Sequence, residues 1–145
     1  MFCVYIDDLL VRLSKSDVGC YLGNNFVGAL AYADDVVLVC PTPSAMRRLL
    51  SLCEYFALEY DVKFNAKKSK LLVCPPRKRN KISNQLTKRD CMLFIDGKLI
   101  EQVKSLSHLG YIIMTDLNDS DDILYRCNCF VGQANNMMCG QEQVV

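Results

Sequence analysis

Ala29-Leu30-Ala31-Tyr32-Ala33-Asp34-Asp35-Val36-Val37-Leu38-Val39-Cys40 decides how the rest of the chain is read. Two adjacent carboxylates interrupt a run that is otherwise apolar and rich in β-branched residues, which predicts two short buried strands meeting at a tight turn. One Asp in a turn is ordinary, because its side chain accepts hydrogen bonds from nearby backbone N–H groups. Two between apolar segments are less so, since carboxylates crowded at the edge of a core repel each other and are costly to desolvate. A hard divalent cation would relieve that charge: Mg²⁺ takes oxygen ligands, keeps several waters and is held by one or two carboxylates together with substrate phosphates. On these residues alone, a plain acidic turn and a cation site at Asp34 and Asp35 both stay open.

The 145 residues suffice for one domain with a sizeable core. A hydrophobic content of 51% with 23% charged residues argues for a globular chain and against disorder. No apolar run is long enough to span a membrane and the first residues lack a signal-peptide pattern, so an intracellular protein, nuclear or cytoplasmic and not secreted, is expected. Nine cysteines, an odd number without C-x-x-C spacing, and a single His (His108) fit reduced buried thiols better than zinc ligands or disulfides. The formal net charge of +1 hides an asymmetry: residues 1–62 balance to −4, residues 63–104 to +9 and residues 105–145 to −4. A basic block beside an acidic turn suits a polyanion held near a metal, and equally a solvated Lys/Arg face.

Along the chain, Val4, Leu9, Leu10 and Leu13 predict a helix over 1–16, ended by Ser14 to Gly19. Its Tyr5-Ile6-Asp7-Asp8 repeats the Tyr-x-Asp-Asp pattern, but apolar residues at helical period follow it; its acids read as first-turn charges favoured by the helix dipole. Residues 20–28 suggest a strand and turn leading into the central hairpin. Pro41-Thr42-Pro43-Ser44 offers helix caps, and Met46, Leu49, Leu50, Cys53, Phe56, Ala57 and Tyr60 mark one face of a helix that should cover the sheet, with Arg47 and Arg48 solvated. Val62 to Cys74 reads as a lysine-rich turn into a short buried strand. Arg77-Lys78-Arg79-Asn80-Lys81 is a basic loop, and Met92 to Ile100 a β-hairpin with Asp96-Gly97 as a type I′ turn. His108 to Ile113 reads as a strand. Asn118 to Asp122 supply a cap and first-turn acids for a helix carrying Ile123, Leu124, Cys127, Phe130, Val131 and Ala134 and stopping near Cys139-Gly140.

Tyr32-Ala33-Asp34-Asp35 between hydrophobic strands resembles the YxDD box of reverse transcriptases, with Ala in the second place as in non-LTR (LINE-type) retrotransposons. Asn65, Lys68 and Ser69 resemble the N-x-x-K-[ST] element that follows that box, and His108-Leu109-Gly110 resembles the family's YLG strand, the primer-grip equivalent, with His in place of the aromatic residue. These elements follow in the family's order over nearly the whole chain. The resemblance implies an α+β fold, a partial polymerase palm with an antiparallel β-sheet and packed helices over 1–117 and the start of a thumb helix over 118–145.

The activity the resemblance implies is RNA-directed DNA polymerisation, the attack of a primer 3′-hydroxyl on a deoxynucleotide with two Mg²⁺ (or Mn²⁺) ions stabilising the attacking and leaving oxygens. Asp34 would be the principal metal ligand and Asp35 a weaker one. Lys68 would be general acid for the pyrophosphate leaving group, with Lys67 and Lys70 as rivals and nucleic-acid contacts. Tyr32, Leu109 and Gly110 would contact the primer. The implied partners are an RNA template, a DNA primer and deoxynucleotides. A family palm also has, ahead of the first helix, a glycine-containing loop and a strand with a further catalytic Asp; neither has a counterpart in these residues, so this polypeptide alone is expected to be inactive. The alternative is a non-catalytic nucleic-acid-binding remnant using the basic 63–104 segment.

Overall fold

A computed structural model of the protein describes the backbone of residues 2–75 and 91–139, and the side chains of all of these except 2–4 and 139. The fold is α+β. In chain order the described elements are α1 (Phe2–Ser14), β1 (Tyr21–Leu22), β2 (Asn25–Phe26), β3 (Ala29–Tyr32), β4 (Asp35–Leu38), α2 (Pro43–Glu59), β5 (Lys70–Leu72), β6 (Phe94–Ile95), β7 (Lys98–Leu99), β8 (Glu101–Val103), β9 (Ser105–His108), β10 (Tyr111–Met114) and α3 (Ser120–Cys139). Among the described residues the strands form five two-stranded pairs. β1–β2, β3–β4, β6–β7 and β9–β10 are antiparallel hairpins, and β5 pairs with β8. The basic loop 77–81 lies outside the described residues.

The chain divides into two compact units, Met1–Lys70 with Lys81–Glu101 and Leu71–Asn80 with Gln102–Val145. In the first, Leu9 and Leu13 of α1, Ala29 of β3 and Leu49, Cys53 and Phe56 of α2 make one buried cluster. The helical spacing of these residues is what aims them inward. α1 lies directly on β3, where the small side chain of Ala29 lets Leu9 and Leu13 come close, while α2 packs on α1 and on β6. The expectation that α2 covers the sheet is therefore met only through the shared core; the helix seated on the central hairpin is α1. Thr42 caps α2, its Oγ1 accepting from the Ala45 N–H at 3.2 Å, and Pro43 occupies the first turn, where its missing N–H costs nothing.

Arg12 ties the two helices together. Its guanidinium bonds Asp8 at 2.7 Å and Glu59 at 2.5 Å and lies 5.6 Å from the Tyr60 ring centre, while the Tyr60 hydroxyl donates to Asp8 at 3.0 Å. Asp7 and Asp8 thus sit on a helix and not in a hairpin, as the sequence predicts, but beyond its first turn. The partner of Asp8 is Arg12 one turn later, and no dipole argument is needed to explain it.

In the second unit Leu109 and Gly110 have φ of 50° and 78°, so they form the turn between β9 and β10 and not part of a strand. Positive φ at both loop residues is the type I′ signature that matches the strand twist. α3 follows, with Asp121 and Asp122 in its first turn as expected. Among the described residues no helix is long and apolar enough to cross a membrane. The described cysteines are free; only Cys53 is buried, whereas Cys74, Cys127 and Cys129 are exposed, so the expectation of buried thiols holds for one position.

Candidate functional site

β3 and β4 pair Ala29 with Leu38, Leu30 with Val37, Ala31 with Val36 and Tyr32 with Asp35, leaving Ala33 and Asp34 as a two-residue loop. Cross-strand partners share a face of the ribbon. Ala29 is buried and Ala31 half-buried on the face toward α1, whereas Leu30 is 56% and Tyr32 64% exposed on the other. The hairpin is thus buried on one face only, less than the two short buried strands the sequence predicts. Asp35 shares the open face with Tyr32 and Leu30, and Asp34 sits at the tip. Ala33 has φ 50°, a left-handed conformation that costs an alanine about 1–2 kcal/mol. That strained residue holds the two carboxylates at the end of the ribbon.

Asp34 and Asp35 are exposed and make no ion pair among the described residues. Their chemistry, adjacent hard oxygen donors without a protein cation, fits a Mg²⁺ or Mn²⁺ ion that completes its shell with water and phosphate oxygens. Among the described residues no group of three or more Asp, Glu, His or Cys converges on one point, so the pair is a partial ligand set.

The lysine turn is built by Asn65. Its side-chain Oδ1 accepts from the backbone N–H of Lys67 at 3.1 Å and of Lys68 at 3.2 Å. Its carbonyl accepts from the N–H of Lys68 at 3.0 Å and Ser69 at 2.9 Å and from the Ser69 hydroxyl at 3.0 Å. The Asn and Ser of the N-x-x-K-S element are therefore the fasteners of a compact turn, with Ala66 buried beneath it. Lys67 and Lys68 stand exposed on it without an ion pair among the described residues. Lys70 differs: it opens β5 and is bound to Glu101 on β8 at 2.5 Å.

Leu109 and Gly110 belong to the second unit, at the exposed tip of the β9–β10 hairpin. That tip is fixed by Asp122, which reads from sequence as a first-turn acid, and by Arg126, which was not singled out from sequence. Asp122, 8% exposed, accepts from the Ile112 N–H at 2.8 Å and from Arg126 Nε at 2.7 Å. Arg126 Nη2 donates to the Gly110 carbonyl at 2.9 Å and the guanidinium lies 4.2 Å from the Tyr111 ring centre. The Arg126 bond, then the Ile112 N–H, hold the Asp122 carboxyl below its ordinary range. The i, i+4 spacing of Asp122 and Arg126 is a signal the sequence carries, but such spacing by itself describes only a pair on the helix surface.

A family model described as reverse transcriptase (RNA-dependent DNA polymerase) matches residues 1–113. The chain belongs to the reverse transcriptase family. The match takes in the central hairpin, the Asn65 turn and the Leu109-Gly110 tip of this reverse transcriptase chain. No curated protein and no solved structure matches it. Reverse transcriptases generally use divalent metal ions and bind an RNA template and nucleotides, which accords with the donor set at the β3–β4 tip.

Proposed function

We propose that Asp34 and Asp35 are divalent-cation ligands of a non-LTR (LINE-type) reverse transcriptase palm spanning 1–117, with 118–145 opening the thumb. The observation that carries this reading is the Tyr32-Ala33-Asp34-Asp35 tip, where two exposed carboxylates on a strained two-residue loop have no cation of their own. A bound metal would supply charge stabilisation of the attacking and leaving oxygens during nucleotide joining. Asp34 is the principal ligand and Asp35 the weaker one. Tyr32, on the same open face as Asp35, shapes the primer end. Lys68, displayed by the Asn65 turn, donates a proton to the leaving pyrophosphate oxygen, with Lys67 as its rival; Lys70 is the weaker candidate because Glu101 already holds its ammonium. Leu109 and Gly110 contact the primer backbone. The free cysteines suit a reducing compartment, and we place the protein inside the cell.

Two-ion phosphoryl transfer depends on positioning and charge stabilisation, and one carboxylate pair is fewer anchors than two ions need. The 145-residue polypeptide alone therefore does not extend a primer. Titration with Mn²⁺ tests the metal reading: paramagnetic broadening should centre on the amides of residues 33–36 and vanish in Asp34→Asn. Broadening elsewhere sinks that reading. Primer extension by the wild-type polypeptide that disappears in Asp34→Ala would overturn the inactivity.

A non-catalytic nucleic-acid-binding role for 63–104 has narrower support. Lys63, Lys67, Lys68 and Lys104 make no ion pair among the described residues, but Lys70 and Lys98 are held by Glu101 and Asp96. Salt-insensitive RNA binding would reject it.

A further inference from the structure

Within the first unit, α1 and α2 leave an open groove of about 620 Å³ whose lining includes Arg12, Lys15, Arg47 and Arg48 and not one acidic residue. That composition runs against its surroundings, since residues 1–62 carry a net charge of −4. The volume falls in the range of ligand sites, about 300–1,000 Å³. Arg47, Arg48, Ser51 and Tyr55 share one side of α2, beside the stripe of Leu49, Cys53 and Phe56 that enters the core. Lys15 and Ser16 reach the groove from the end of α1. Arg12 is fixed by Asp8 and Glu59 and acts as a wall, whereas Lys15 and Arg48 make no ion pair among the described residues. Tyr55 stands 64% exposed beside these cations.

We propose that this α1–α2 groove is a second nucleic-acid site, one that holds a single strand by its phosphates with a base stacked on Tyr55. Lys15 and Arg48 supply charge to the backbone, and the exposed ring supplies a sequence-tolerant stacking platform. The ring decides between ligands: an acidic peptide would use the cations but has no base to lay on Tyr55. The groove is made by helix faces and not by the β3–β4 tip, so the proposal is independent of the metal reading.

The test is fluorescence anisotropy of a labelled dodecauridylate titrated with the full chain between 50 and 200 mM salt. Lys15→Gln with Arg48→Gln should weaken binding at least tenfold at the lower salt and reduce the log–log salt slope by about 1.4, two phosphate contacts on a single strand. Tyr55→Ala should weaken it about fivefold or more with the slope unchanged. Leu58→Ala, an exposed position of α2 that does not line the groove, should leave affinity and salt slope unchanged. On the wild-type protein, the oligonucleotide should protect Lys15 from acetylation, a readout that needs no variant to fold. Unaltered affinity in both groove variants, unprotected Lys15, or groove variants that affect polyglutamate binding but not RNA binding would each overturn the proposal.

Discussion

Ala33 holds a backbone conformation in which glycine is more at ease, and its energy should be measurable. Ala33→Gly is expected to leave stability equal or raise it by up to about 1 kcal/mol in urea denaturation, while the β-branched Ala33→Val should lower it by more than about 1 kcal/mol. Asp34→Ala and Asp35→Ala should leave the melting temperature nearly unchanged, because neither side chain is buried or bonded to a described cation. A clear destabilisation by either would mark the pair as structural. Asp122 makes the opposite case. Its folded pKa lies below the ordinary 3.8, so it contributes stability that is present above that value and lost as pH falls through the depressed one. The stability gap between wild type and Asp122→Asn should therefore close in urea melts as pH drops below about 3.8. Sequence suggested a first-turn acid there and nothing more, because the partner that distinguishes it, the Ile112 N–H, comes from a strand and leaves no trace in local spacing.

Helices and turns were legible where one period or one dipeptide dominates. α2 follows from its apolar stripe and Thr42-Pro43 start, and Asp96-Gly97 forms the expected turn with both φ positive, at 52° and 67°. Leu109-Gly110 has the same geometry but was hidden inside the apolar run His108 to Ile113, where a leucine at positive φ is a conformation residue type does not announce. The buried stripe of α2 sets a prediction at this scale: Leu49→Ala, at a fully buried position, should cost about 2–5 kcal/mol. Burial also pushes the Cys53 thiol up to about 12. At pH 8 an alkylating reagent should modify Cys74, Cys127 and Cys129 in the native protein and reach Cys53 only after unfolding, as peptide mass mapping would read. α3 differs from α2 in exposing Ile123, Leu124, Phe130, Met137 and Met138. With few buried contacts of its own, its amides over 127–139 should exchange with solvent faster than those of α2 over 45–56.

For the molecule as a whole, the α+β class was legible through the resemblance carried by the YxDD, N-x-x-K-S and Leu-Gly elements, and the reverse transcriptase family it pointed to is the one whose model matches residues 1–113. Which helix seats on which strand was not legible, because α1 and α2 carry similar apolar stripes and only packing on Ala29 distinguishes them. The charge blocks read from sequence were equally coarse: the groove cations of 12–48 lie in the acidic third of the chain, where net balance conceals them. In the second unit, Arg126 grips the carbonyl of Gly110 while its partner Asp122 grips the amide of Ile112, so the first turns of α3 and the β9–β10 tip are riveted at two points. Such a rivet makes a lever. A 20-residue helix is about 30 Å long, so a small sideways push at its Cys139 end would tilt the Leu109 tip through the same angle.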